Sequence, residues 1–208
     1  MIWSNRNKLC FVHIPKTGGT SITAAYEPQM LFDDIILGGT ALGEMLQKHY
    51  RTRFGLHKHS GARSIMQAAG TEAFAAAFSF SLIRDPVGRV VSLYRWLRDG
   101  PPGRHPLSGP AAGLDFDAFA PLACESFPSQ AAHVKAAGRV AVSRLYRFDD
   151  LPQAWADVAR RIGGNSALSH RNMSRSQDVR VSAAARNTIE TFYAEDLALY
   201  RAIAAVGN

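Results

Sequence analysis

The run Pro15-Lys16-Thr17-Gly18-Gly19-Thr20-Ser21 constrains this chain more than any other part of it. It lies between an apolar, strand-like stretch (Leu9, Cys10, Phe11, Val12, Ile14) and a helix-like one (residues 22–26), the order in which a phosphate-cradling turn is built. Adjacent glycines let backbone N–H groups close on an anion at the positive end of a helix. Lys16 adds a mobile charge, and Thr20 and Ser21 add hydroxyl donors. A Walker A loop places its lysine after the second glycine. Here Lys16 precedes both glycines, so the turn is an anion cradle of a different order.

Two further apolar runs read as buried strands, residues 78–83 and, with a weaker pattern, 140–148. Each of the three leads into a helix-like segment. That alternation predicts an α/β fold, a P-loop-like three-layer arrangement with a central, mainly parallel sheet flanked by helices, and ligands beyond the carboxyl ends of the strands. At 208 residues and 47% hydrophobic, the chain is expected to form a single domain over 1–208. The clearest helix spans 86–98, with Pro86 at its first position and Val87, Val90, Val91, Tyr94 and Leu97 on one stripe. Asp85, Arg89, Ser92 and Trp96 fall on the opposite side. Helices are also expected at 114–123, 150–162 and 182–206. The Gly/Pro-rich stretch at about 99–113 lacks periodicity and is expected to be a flexible loop, either a lid over an acceptor or a linker.

A formal charge of +7 favours anionic partners without choosing among nucleotide, acidic glycan, nucleic acid and membrane surface. The basic residues are dispersed, and no zinc-finger spacing, RNP signature or helix-turn-helix is evident, so no nucleic-acid partner is expected. No stretch approaches the roughly 18 apolar residues of a membrane span, and the first residues lack a secretory pattern, so a soluble, cytoplasmic protein is expected. Cys10 and Cys124 lie in apolar segments and read as buried free thiols. No cluster of metal ligands stands out, and no metal is expected.

The second informative segment is Phe80-Ser81-Leu82-Ile83-Arg84-Asp85-Pro86, which places an arginine where a buried strand ends, with Ser92 two helical turns on. A guanidinium is a planar fork of donors suited to a phosphate, and a nearby hydroxyl completes the shell. With these residues in view, the sequence resembles the phosphoadenosine-phosphosulfate (PAPS) dependent sulfotransferases, in the branch of the heparan sulfate O-sulfotransferases and their bacterial relatives. In that branch P-K-T-G-G-T-S binds the 5′-phosphosulfate, matched here from Pro15 to Ser21. R-[DN]-P-x-x-R-x-x-S-x-Y binds the 3′-phosphate, matched by Arg84, Asp85, Pro86, Arg89, Ser92 and Tyr94. Weaker echoes are Arg147-Phe148-Asp149-Asp150-Leu151 and His170-x-Asn172-x-Ser174.

The resemblance implies sulfuryl transfer from PAPS to a hydroxyl acceptor, a carbohydrate or glycoconjugate, with adenosine 3′,5′-bisphosphate as product. It implies donor contacts from Lys16, Thr17, Gly18, Gly19, Thr20, Ser21, Arg84 and Ser92, with Ser174 or Arg175 as further candidates. Lys16 would meet the charge developing on the leaving oxygen. A hydroxyl acceptor needs a base, and histidine has the suitable pKa. Among seven histidines, His59 and then His57, in the H-x-H of Gly55-Leu56-His57-Lys58-His59-Ser60-Gly61, match the region that supplies the base in glycan sulfotransferases. His13 reads as a core or turn residue. Lys58, Arg63, Gln130 and His133 are candidate acceptor contacts. Two other readings stay open: a P-loop-type nucleotide kinase, with Asp85 imitating a Walker B carboxylate, and a non-catalytic nucleotide- or polyanion-binding protein.

Overall fold

The computed structural model describes residues 1–168 and 179–203. The first strand, β1 (Ile2–Ser4), pairs antiparallel with β2 (Leu9–Phe11), which runs into the glycine turn and α1 (Gly19–Tyr26). A short β3 (Ile35–Ile36) lies on the other side of β1. Then come α2 (Ala41–Phe54), α3 (Ala62–Ala69) and α4 (Thr71–Ala76), followed by β4 (Phe78–Ile83) and α5 (Pro86–Arg98). A helical block, α6 (Ser108–Gly113), α7 (Phe116–Ser126) and α8 (Gln130–Val134), precedes a two-stranded ribbon of β5 (Lys135–Ala136) and β6 (Arg139–Val140). The last sheet strand, β7 (Arg144–Arg147), leads to α9 (Leu151–Arg161), and the described chain ends in α10 (Ala183–Phe192) and α11 (Ala194–Ala202).

The main sheet has the order β3-β1-β2-β4-β7. β2, β4 and β7 are mutually parallel, and β3 shares their direction because two antiparallel steps separate it from β2. This is a mixed α/β fold with a central, mostly parallel sheet flanked by helices, as the alternation predicts. The period of two decides which face each residue joins. Leu9 and Phe11 pack with Ile22, Tyr26, Trp155 and Val158 beneath α1 and α9, while Cys10 and Val12 pack with Ile65, Phe74 and Ile83 on the other face. A third apolar cluster, of α5, α6, α7 and α10, is built on Val87, Leu93, Phe119 and Ile189. Cys10 and Cys124 are both free and buried, as expected.

Helix starts follow capping chemistry. Thr40, Asp85, Asp115, Ser129 and Ser182 each accept the backbone N–H of the third residue of the helix that follows. Three expectations need correction. Part of the 99–113 stretch is helical, because Leu107 and Ala111 are drawn into the α5–α7 cluster despite the surrounding glycines and prolines. The 182–206 helix is two helices, interrupted at Tyr193, whose hydroxyl donates to the Phe127 carbonyl at 2.5 Å. The 140–148 strand is the end of the ribbon plus β7.

Candidate active site

The carboxyl ends of β2 and β4 open into a cleft of about 1490 Å³. Lys16, Gly18, Gly19, Thr20, Ser21, His59, Arg84 and Ser92, all singled out from the sequence, line it. Thr17 and His57 do not. Thr17 is fully buried and its hydroxyl donates to the Ile14 carbonyl at 3.0 Å, so its side chain braces the turn. His170, Asn172, Ser174 and Arg175 lie outside the described residues.

Backbone geometry makes the glycines obligatory. Gly18 has φ +83° and precedes α1, and a Cβ there would stand 2.9 Å from the Phe148 ring. A Cβ on Gly19 would stand 2.2 Å from the ring of His13, which fills the space beneath the turn. Lys16 also has positive φ, +68°, a conformation that costs a non-glycine residue energy and is held by its surroundings. Those surroundings are two arginines. Arg84 donates from Nη1 to the Lys16 carbonyl at 3.3 Å, and Arg89 donates from Nε to the Pro15 carbonyl at 3.1 Å.

Arg89 overturns the expectation that it shares the open side of α5 with Ser92 and Trp96. It is 1% exposed, donates a second bond to the Pro128 carbonyl at 2.9 Å, stacks on Phe127 and pairs with buried Asp196 at 3.8 Å. Asp196, on α11, also accepts the Gln130 and Ala131 N–H groups at 2.8 Å each. Burial lowers the Arg89 pKa to about 10, with Asp196 opposing that shift. Gln130 is likewise no acceptor contact. Fully buried, its amide accepts the Arg84 N–H at 2.9 Å and donates to the Arg84 carbonyl at 2.8 Å. His133 is buried with Nδ1 on the Ser129 carbonyl and lies away from the cleft. Asp85 is occupied as the cap of α5, accepting the Gly88 N–H at 2.7 Å, which leaves it poorly placed to imitate a Walker B carboxylate.

The cleft is strongly cationic. Arg84 stacks on Phe148 at 4.2 Å; Lys16 Nζ lies 5.1 Å above the Trp96 ring, and Arg104 covers the same ring at 3.5 Å. Burial first, then repulsion from Arg84, Arg104 and Lys58, lowers the Lys16 pKa to about 8. At that value the ammonium is still mostly charged at neutral pH, an anion beside it would stabilise the charge further, and among the described residues Lys16 has no ion-pair partner. Arg95, Trp96 and Arg104 carry no motif, and helical spacing from Ser92 (i+3 and i+4) is the only sequence signal for the first two.

His59 is oriented by its own backbone neighbourhood. Nδ1 lies 2.8 Å from the His13 carbonyl, and because a carbonyl only accepts, Nδ1 carries the hydrogen and Nε2 the lone pair. His57 forms the turn that presents it: Nδ1 of His57 accepts the His59 N–H at 3.2 Å, and the Ser60 hydroxyl accepts the His57 N–H at 2.8 Å. Burial pushes the His59 pKa down to about 3, with the His13 carbonyl opposing it. Burial likewise lowers His13, His57, His105 and His133. In each case the fold favours the neutral imidazole more than the unfolded chain does, whose histidines titrate near pH 6.5, so these groups cost nothing well above that pH and oppose folding increasingly below it. The urea midpoint is expected to fall steadily between pH 7.5 and 5, above the range where carboxylates titrate. A flat profile over that window would contradict the assignment.

A mostly parallel α/β sheet that presents a glycine turn, a helix N-terminus and several cations at its strand ends has the chemistry of an anion site. Residues 1–131 match the family model described as the sulfotransferase family, which covers more than half of the chain, and the chain belongs to that family. Comparison with curated proteins and with solved structures returned no match. Among the described residues, no group of three or more His, Cys, Asp or Glu side chains is placed to hold a metal ion, and no helix is long and apolar enough to cross a membrane.

Proposed function

We propose that this sulfotransferase moves a sulfuryl group from PAPS to a hydroxyl acceptor, a carbohydrate or glycoconjugate, with His59 as general base. The observation that carries the reading is the convergence of Lys16, the Gly18–Gly19 turn, Arg84 and Ser92 on one cleft that also receives His59. The donor fits the residues present. Lys16 and Arg84 both line the cleft and suit a ligand with more than one anionic group, and Gly18 and Gly19, which line it too, put no side chain between that ligand and the backbone N–H groups at the start of α1. A single domain over the whole chain belongs to the same proposal.

In this scheme the chain's residues have distinct tasks. The turn and the start of α1 hold the phosphosulfate oxygens, and Arg84 with Ser92 holds the 3′-phosphate. His59 Nε2 takes the acceptor proton as the acceptor oxygen bonds to sulfur. The bond from sulfur to the donor's phosphate oxygen breaks, and the Lys16 ammonium neutralises the charge left there. A base with a resting pKa near 3 is weak, and the incoming anionic donor raises it by stabilising the imidazolium.

Two experiments test this. Adenosine 3′,5′-bisphosphate is expected to raise the melting temperature without magnesium, while ATP with magnesium does not; the reverse ranking would favour a kinase. His59→Ala is expected to lower kcat by roughly 100- to 10,000-fold, the range for loss of a general base, with unchanged bisphosphate affinity. Turnover within a few-fold of the parent would remove His59 from the role. His57→Ala, which disturbs only the turn presenting His59, is expected to act more mildly.

A further inference from the structure

A second cavity, of about 480 Å³, opens on the flank of α5 beside the main cleft. It lies between the last two turns of α5, the start of α7 and the Val179–Arg180 segment, which Val179 anchors on the helical core. Arg95, Arg98 and Arg180 all line it, and among the described residues none of the three has an ion-pair partner. Two carboxylates share the cavity. Asp115 is occupied as the cap of α7, accepting the Ala118 N–H at 2.9 Å, and Asp99 lines both cavities. Arg98 is held in place by its bond to the Tyr94 hydroxyl at 2.9 Å, which in turn donates to the Leu114 carbonyl.

Arg95 joins the two spaces. It lines both the cavity and the cleft, and among the described residues its Nε is buried without a hydrogen-bond partner, an open donor that costs free energy until an acceptor arrives. Its charge also acts on Arg84 across the cleft. We propose that this cavity is a second anion site, taking one sulfate- or phosphate-class group on Arg95, Arg98 and Arg180, and that Arg95 couples it to the donor cleft. Two anions that draw on one guanidinium weaken each other's binding, and the effect is reciprocal. The coupling rests on the donor reading above; the site itself does not.

Inorganic sulfate is the probe, with chloride at matched ionic strength as the control. Calorimetry is expected to show sulfate weakening adenosine 3′,5′-bisphosphate affinity about fivefold, the lower end for coupled sites, and then levelling off. The plateau separates coupling from displacement at one site. In Arg180→Gln, which alters an exposed side chain lining only the second cavity, bisphosphate affinity without sulfate is expected to match the parent and the sulfate effect to disappear. Sulfate that weakens binding without limit, or equally in Arg180→Gln, overturns the proposal. So does Arg180→Gln weakening the bisphosphate but not adenosine 5′-monophosphate, which would assign the cavity to the donor's 3′-phosphate. If the bisphosphate fails to bind the parent protein, the donor reading falls. The sulfate-dependent rise in melting temperature over chloride, and its loss in Arg180→Gln, then decides the site alone.

Discussion

Arg89→Met is expected to destabilise the protein by about 3–5 kcal/mol, the cost of removing one partner of a buried ion pair. Asp196 would be left charged, fully buried and without its counterion, while burial already pushes its pKa upward. The Pro15 and Pro128 carbonyls would lose their donors at the same time. Methionine fills the volume and can rest on Phe127, so the loss reports charge and hydrogen bonds more than a cavity. Chemical denaturation measures it. A change below about 1 kcal/mol, the level of an exposed pair, would show that the network is not what holds the turn. Arg89→Lys is expected to recover only part of the loss, because one ammonium cannot reproduce a fork that reaches two carbonyls and stacks on a ring.

Gly19→Ala is expected to remove donor binding, lowering affinity for adenosine 3′,5′-bisphosphate by at least 100-fold while the protein still folds. The added Cβ would meet His13 Cδ2 at 2.2 Å and Nε2 at 2.3 Å. His13 is 2% exposed and stacks on Phe11, so the ring has nowhere to retreat and the turn must move instead. That movement also disturbs the His13 carbonyl, which sets the tautomer of His59. The measurement is calorimetric titration with the bisphosphate, together with circular dichroism to confirm the fold. Near-parental affinity would mean that the turn does not approach its ligand through Gly19. The double variant His13→Ala/Gly19→Ala tests the cause, since removing the ring should return space to the turn.

What the sequence discloses about this molecule is what chemistry enforces locally. The glycine turn, the strand ending just before Arg84 and the proline-started α5 each depend on residues within a few positions of one another, and all three stand where their patterns place them. Arg89 illustrates the opposite case. Helical periodicity puts it with the polar side of α5, and partners distant in sequence, Asp196 on α11 with the Pro15 and Pro128 carbonyls, make an interior position tolerable. Gln130 is legible for the same reason only as a polar residue, since its partner is the peptide unit of Arg84. The edge strand β3 and its neighbour β1 have two and three residues, too few for a period to register. Helix α6 is hidden by glycine and proline content that packing against α5 and α7 outweighs. Arg95 and Arg104 could not be told from other dispersed cations until the fold brought them to the cleft.

The pairing of the Gln130 amide with Arg84 bears on the cost of recognition. The ladder between β4 and β7 ends at Ile83 and Arg147, so Arg84 is the first residue beyond the sheet, where a chain ordinarily frays. Gln130 stands in for the missing strand, offering one acceptor and one donor to the same peptide unit. The root of the Arg84 side chain is thereby immobilised as if the sheet continued one residue further. Ordering that segment is accomplished when the protein folds, and with the guanidinium already resting on Phe148 and the Lys16 carbonyl, an anion arriving there would have little of the side chain left to restrain.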